Sequence, residues 1–164
     1  MDYLKNSDKI IEKLARPGGF LTVKNGDILN TMTIGWGGID FMWGRGIFMV
    51  MVRKSRYTYE IIEKAADFTV SIPEDGSLNS ALGFCGSKSG RDFDKFNECG
   101  LKAVPAKTVN SPVVECKGFI FECKKLLSVP MIPELLDDDV KKTFYGDNDF
   151  HTLYYGEITD YYTI

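Results

Sequence analysis

Apolar residues follow two spacings along the first third of the chain, and each spacing predicts one type of secondary structure. Near-helical spacing over about residues 3–15 predicts a first helix, which the run Pro17-Gly18-Gly19 ends. Two β-rich segments, residues 20–24 and 28–36, flank Asn25-Gly26, a dipeptide that tolerates the positive φ angles of a tight turn. These segments predict a β-hairpin directly after the helix.

The middle of the chain alternates between strand and helix patterns. The continuous apolar run 47–52 predicts a buried strand, and residues 58–66 predict a helix with Thr58 as its N-cap. Residues 68–72 alternate as a strand does until Pro73 ends them. Short helices are predicted over residues 77–84 and from Gly90 or Arg91 to Cys99.

The last third is mostly strand. Residues 113–116, 119–126 and 152–162 are rich in β-branched and aromatic side chains, and one more helix is predicted over 133–144. An opening hairpin followed by this order of elements does not fit a doubly wound sheet. It favours one mainly β domain over residues 1–164, an antiparallel barrel with helices packed outside.

Composition narrows the classes of function. Hydrophobic residues make up 44% and charged residues 26%, as in a globular protein, and the formal charge is only −3. That balance gives no basic surface for nucleic acid or for a membrane, and no apolar run approaches the roughly 20 residues of a membrane helix. The first residues have no signal-peptide pattern, so a cytoplasmic location is expected.

The side chains that most often carry metal or acid–base chemistry are few. The four cysteines form no C-x-x-C pair, which predicts reduced thiols and no metal site. His151 is the one histidine, so a multi-histidine metal site is excluded, and no nucleophile elbow supports a serine triad. No G-x-G-x-x-G run opens a helix after a strand, so a Rossmann nucleotide site is not expected.

Two segments have the composition of an anion site. Arg53–Thr58 joins the predicted strand to the predicted helix and offers basic and hydroxyl side chains where helix N–H groups are unpaired. Cys85–Asp92 combines glycines, serines and Lys88 ahead of another predicted helix. Each segment could instead be an ordinary helix cap beside a solvated basic face. Five apolar side chains could border a flat ring system, or could belong to the core or a dimer interface: Met32, Trp36, Phe41, Met42 and Trp43.

Taken together, four segments in order resemble the flavoredoxin and flavin-reductase family of FMN-binding split barrels. They are Asn30–Trp36 (NTMTIGW), Arg53–Thr58 (RKSRYT), Phe84–Phe96 (FCGSKSGRDFDKF) and His151–Ile158 (HTLYYGEI). The resemblance implies a six-stranded antiparallel split β-barrel that forms a homodimer and binds one FMN per subunit near the interface.

The resemblance also implies a division of the site. The isoalloxazine ring would be bordered by Asn30, Thr31, Met32, Thr33 and Trp36. The phosphate and ribityl chain would be held by Arg53, Ser55, Arg56, Tyr57, Thr58, Ser87, Lys88 and Ser89. His151 would lie near the ring or the nicotinamide and is the candidate catalytic residue.

Proteins of this family pass hydride from NADH or NADPH to flavin and electrons onward, so the implied activity is an NAD(P)H-dependent flavin reductase. The alternative is an FMN electron carrier that is reduced by, and passes electrons to, a partner protein. A third possibility is a barrel that binds haem or no cofactor, and the intact Arg53–Thr58 motif argues against it.

Overall fold

The structure is a computed structural model that describes residues 4–164. The first half contains α1 (Ser7–Ala15), β1 (Gly19–Asn25), β2 (Ile28–Ile34), β3 (Gly37–Met42), β4 (Arg45–Arg53), α2 (Tyr57–Ile62) and β5 (Asp67–Pro73). The second half contains α3 (Asn79–Ser87), α4 (Lys95–Glu98), β6 (Ala103–Val104), β7 (Val113–Val114), β8 (Gly118–Pro130), α5 (Asp138–Phe144) and β9 (His151–Thr163). A 3₁₀ turn, Pro133–Leu135, precedes α5.

Seven strands form one antiparallel sheet in the order β2-β1-β5-β8-β9-β4-β3, and β6 pairs with β7 separately. This confirms the mainly β class with peripheral helices. The resemblance implied six strands, and β3, which pairs along β4, makes seven in the main sheet. Among the described residues, no ladder joins the edge strands β2 and β3, so the sheet stays open as a split with β2 on one side and the β3–β4 pair on the other.

Strand β5 shows why the sheet has two covered faces. Phe68, Val70 and Ile72 point into the main core, where each is fully buried. The alternate residues face the β7 side, and their hydroxyls are paired: Thr69 Oγ1 donates to Pro112 O at 2.6 Å, and Ser71 Oγ accepts from Val114 N at 3.1 Å. Burying each of these apolar side chains contributes about 1.5–3 kcal/mol, and pairing the hydroxyls offsets the cost of desolvating them.

Two buried carboxylates hold the loop between β6 and β7. Asp67 accepts hydrogen bonds from the backbone N–H groups of Asn110 and Ser111. Glu122 accepts from Lys107 N, from Thr108 N and Oγ1, and from Tyr162 Oη. Burial alone raises the pKa of a carboxyl group, but these hydrogen bonds outweigh it and leave the pKa of Glu122 below its ordinary value.

The predicted hairpin is confirmed, with Gly26 in the turn at φ 58°. The first helix begins at Ser7, and the part of its prediction at residue 3 lies outside the described residues. Thr58 was expected to cap α2, and this prediction is wrong. The helix begins one residue earlier with Arg56 as its N-cap, and the Thr58 hydroxyl accepts a hydrogen bond from Asn30 Nδ2 at 2.8 Å.

The helix predicted from residue 90 or 91 to 99 is much shorter than expected. Asp94 caps α4 by accepting from Phe96 N and Asn97 N, so the helix covers only Lys95–Glu98. Residues 88–94 are therefore a loop. Strand β3 was not predicted, because its segment opens with the glycines of Gly35-Trp36-Gly37-Gly38, which weaken a strand pattern.

The four cysteines are free thiols. Cys116 precedes β8, Cys123 lies on it, and both thiols are buried. In the part of the chain that the structure describes, no group of three or more His, Cys, Asp or Glu residues could hold a metal ion. Within residues 4–164, no helix has both the length and the apolar character needed to cross a membrane.

Candidate functional site

The larger of two joined clefts lies in the split of the sheet. One wall is the end of β2 and the residues after it, and the facing wall is the end of β4. The cleft has a volume of about 410 Å³. The predicted residues that line it are Met32, Thr33, Trp36, Arg53, Arg56 and His151.

A smaller cleft of about 140 Å³ adjoins the first. Met32, Ser55 and Arg56 line both, so the two clefts share a wall and form one elongated site. The other predicted residues in the smaller cleft are Asn30, Tyr57, Thr58, Ser87, Lys88 and Ser89. The two segments identified from sequence as anion sites therefore meet at one place.

Four cations line the smaller cleft, and among the described residues only Arg91 has an acidic partner, Glu60. Within residues 4–164, Arg56, Lys88 and Lys95 form no ion pair within 4.0 Å. Lys95 is only 4% exposed, and its Nζ donates to the carbonyl oxygen of Cys85 at 2.9 Å. Burial lowers the pKa of Lys95, and burial followed by the nearby Arg53 charge lowers that of Arg56. A bound anion would offset both costs, so the cleft favours an anion.

Asn30 links the floor of this cleft to the loop above it. Its Nδ2 donates to Thr58 Oγ1, and both side chains are buried. Gly90 packs directly on the same side chain: a Cβ at position 90 would lie 2.1 Å from Asn30 Oδ1 and 2.9 Å from Tyr57 Cδ1. The loop therefore approaches β2 closely because residue 90 has no side chain.

Arg53 binds the connection between β8 and β9. Its guanidinium donates to the carbonyl oxygens of Phe144 (2.8 Å) and Asp149 (3.0 Å) and pairs with the Asp147 carboxylate at 3.2 Å. Asp149 in turn accepts from the backbone N–H of Ser55 at 3.2 Å and from its hydroxyl at 2.5 Å. Arg53 and Ser55 thus hold the outer wall of the larger cleft in place.

Aromatic rings form the other end of the larger cleft. Trp36 packs against His151, with ring centroids 5.3 Å apart, and edge-on against Phe144 at 5.2 Å. Trp36 remains 42% exposed, so part of the indole is accessible to a ligand. The elongated site therefore has an aromatic end, at Trp36 and His151, and a cationic end.

The comparison with known proteins identifies the family. Residues 12–164 match the family described as "Flavin reductase like domain". The chain belongs to this family.

Three known proteins show the range of the likeness. The chain is 32% identical over 98 residues to the uncharacterized protein YddH of Escherichia coli K12, which covers 60% of the chain and 49% of YddH, so the chain spans about half the length of that relative. The structure matches flavoredoxin of Desulfovibrio vulgaris (Miyazaki F) with a TM-score of 0.70 and 26% identity, covering 90% of this chain and 69% of that one. It matches the NADH:FAD oxidoreductase SgcE6 of Streptomyces globisporus C-1027 with a TM-score of 0.67 and 18% identity, covering 90% and 75%. This last likeness shows the fold alone.

Two residues assigned to the ring from the family resemblance have other partners here. Thr31 lines neither cleft, because its hydroxyl donates to the carbonyl oxygen of Leu21 and pairs with Thr22 Oγ1 inside the sheet. Thr33 lines the larger cleft, but its hydroxyl donates to Leu82 O at 2.6 Å and so fixes α3 against β2. These contacts follow from strand alternation, which turns neighbouring side chains to opposite faces.

The sequence reasoning missed several lining residues. Met51 and Asp147 line the larger cleft, and Gly90, Arg91 and Lys95 line the smaller one. Gly90, Arg91 and Lys95 lie within Phe84–Phe96, a segment on which the family resemblance rests, so the resemblance could have indicated them. No sequence pattern pointed to Asp147, because its partner Arg53 is 94 residues away in sequence.

Proposed function

We propose that this protein binds FMN in the two joined clefts. The observation that carries the proposal is their continuity: a cleft with an aromatic end shares three lining residues with a small cleft lined by four cations, of which three have no acidic partner among the described residues. FMN has the same plan, a flat apolar ring system joined by a short polar chain to a phosphate. Membership of the family and the likeness to flavoredoxin support this assignment.

The residues present fit such a molecule. Arg56, Lys88 and Lys95 would hold the phosphate with charge, and Ser87, Ser89 and Thr58 line the same cleft. The ring system would lie in the larger cleft between Trp36 and Met51.

The proposed activity is flavin reduction by NADH or NADPH. Bound flavin accepts hydride and passes on electrons one or two at a time, while the protein supplies position and electrostatics. The role of this chain is then to hold the flavin and to keep one face of the larger cleft open to a nicotinamide. The exposed indole of Trp36 supports an accessible face.

The test is the visible absorbance of the purified protein with added FMN, recorded anaerobically before and after each nicotinamide nucleotide. We expect bound flavin that bleaches with at least one nucleotide, and we expect FMN to bind more tightly than riboflavin because riboflavin lacks the phosphate. A protein that takes up no flavin contradicts the proposal, and equal affinity for the two flavins contradicts the assignment of the smaller cleft.

The likeness to a flavoredoxin favours a second function, an electron carrier that is reduced by a partner protein. The same spectra separate the two functions. Bound flavin that neither NADH nor NADPH bleaches, but that dithionite does, supports the carrier.

We further propose that the protein is a homodimer. The tip of the β3–β4 hairpin exposes Phe41 and Trp43, which are 68% and 57% accessible, and β3 has one unpaired edge. Exposed large aromatic residues beside a free strand edge are typical of an interface. Light scattering is expected to give twice the 18.5 kDa mass of the chain, and Trp43→Ser to lower it. A monomeric mass for the unaltered protein at micromolar concentration contradicts the proposal.

A further inference from the structure

His151 has two ring nitrogens in different surroundings. It is the first residue of β9, pairs with Arg53 across the ladder and is 8% exposed. Its Nδ1 lies 2.7 Å from the hydroxyl oxygen of Tyr145, in a buried contact. Within residues 4–164, Nε2 has no hydrogen-bond partner, and the ring lines the larger cleft.

The direction of the Tyr145–His151 hydrogen bond follows from burial. Tyr145 is 3% exposed, and among the described residues His151 Nδ1 is the partner of its hydroxyl. If Nδ1 donated the proton, the buried phenolic hydrogen would be left without an acceptor, which costs about 1–3 kcal/mol. The arrangement that satisfies both groups has the hydroxyl donating to Nδ1.

The packing fixes this pair in place. The Tyr145 ring stacks on Phe150 with centroids 4.9 Å apart, and the Arg53 guanidinium lies 5.2 Å from the Tyr145 ring centroid. The His151 ring is held on its other side by Trp36. Neither ring can turn without disrupting these contacts.

A neutral imidazole that accepts at Nδ1 carries its proton on Nε2. Within residues 4–164, Thr152 Oγ1 is the side-chain polar atom that is both fully buried and without a hydrogen-bond partner. Nε2 of His151 also has no partner among these residues, so it is not fully buried and is accessible from the cleft. We propose that Tyr145 is a positioning residue that fixes His151 as an Nε2–H donor, which offers the cleft a hydrogen bond for a carbonyl oxygen or a ring nitrogen of the ligand. The ligand in this statement rests on the proposed flavin site.

Burial and the surrounding charges keep His151 neutral and Tyr145 protonated over a wide pH range. Burial, reinforced by Arg53 and Arg56 and opposed by Asp149, lowers the pKa of His151 to about 4. Asp147 also lines the cleft, but Arg53 pairs with it. Burial raises the pKa of Tyr145, so the phenol keeps its proton at neutral pH. His151 therefore donates a hydrogen bond at neutral pH and does not act there as an imidazolium acid.

The single histidine makes the tautomer directly measurable. In protein labelled with ¹⁵N at histidine and free of flavin, the ring gives one set of nitrogen resonances. At pH 7 we expect a protonated, pyrrole-type Nε2 and an unprotonated, pyridine-type Nδ1. A proton on Nδ1, or on both nitrogens, overturns the proposal.

Tyr145→Phe removes the donor and keeps the ring. We expect the Nδ1 resonance to move toward the average of two exchanging tautomers. Tyr154→Phe is the matched control, since it deletes a buried hydroxyl that donates to Glu63 Oε1 at 2.6 Å on the same strand as His151, and it is expected to leave the tautomer unchanged. A Tyr145→Phe spectrum identical to that of the unaltered protein overturns the role of Tyr145. Should this variant fail to fold, the spectrum of the unaltered protein still decides the tautomer.

Addition of FMN tests the ligand part separately. FMN binding, which is monitored by absorbance, should shift the Nε2–H proton resonance. Binding without such a shift overturns the contact between His151 and the ligand. If FMN does not bind, the proposed function fails, while the flavin-free spectrum still decides whether Tyr145 sets the tautomer.

Discussion

Replacement of Arg56 by methionine should weaken FMN binding by about 10- to 100-fold, because one charge-assisted hydrogen bond to phosphate contributes about 1.5–3 kcal/mol. Arg56 lines both clefts and has no carboxylate partner among the described residues, so its charge is available to an anion. Methionine keeps much of the length and packing of the side chain. Fluorescence titration with FMN and with riboflavin measures the effect.

The comparison between FMN and riboflavin shows whether Arg56 contacts the phosphate. Riboflavin has no phosphate, so its affinity should change by no more than a few-fold in the same variant. Arg45→Met is the control for charge alone, since Arg45 pairs with Glu157 at 2.8 Å and lines neither cleft. An equal loss for both flavins in Arg56→Met would show that Arg56 supports the shape of the cleft and not the phosphate.

Gly90→Ala should destabilise the protein by about 1–3 kcal/mol, the usual range for overpacking, and should also weaken FMN binding. The added methyl group would lie 2.1 Å from Asn30 Oδ1, so either the loop or Asn30 must move. Movement of Asn30 breaks its hydrogen bond to Thr58, and movement of the loop displaces Lys88 and Ser89. Urea unfolding measures the first effect, and FMN titration measures the second.

Gly83→Ala provides the matched control. Gly83 lies within α3, and nothing lies within 4 Å of a Cβ built there. Since alanine favours helix over glycine by roughly 0.5–1 kcal/mol, this variant should gain slight stability and keep its affinity for FMN. Unchanged stability and affinity in Gly90→Ala would show that the loop is not packed against β2 in solution.

The sequence predicted the parts of the fold that depend on local signals. Asn25-Gly26 specified the hairpin, and the apolar run 47–52 specified β4. Both predicted anion segments line the smaller cleft, because their hydroxyl and basic side chains sit where an element begins or ends.

The parts that were missed depend on contacts between distant residues. Lys95 fell within a predicted helix, where a lysine ordinarily faces solvent, but the structure buries it against the carbonyl oxygen of Cys85. Asp149 and Ser55 are 94 residues apart, and no local sequence pattern predicts their hydrogen bond. One miss was local: Asp94 caps the N-terminus of α4, so the helix begins at Lys95 and not at residue 90 or 91.

The connection between β8 and β9 has a consequence for how such a site diversifies. It supplies Asp147 to the lining of the larger cleft and Phe144, which packs edge-on against Trp36, yet the seven-stranded sheet contains none of its residues from 132 to 150. The cationic end is built from other segments altogether. Substitutions in this one stretch can therefore change which molecule meets the proposed flavin ring without altering the proposed phosphate anchor, provided that carboxylates remain for Arg53 and Ser55 and that Tyr145 remains beside His151.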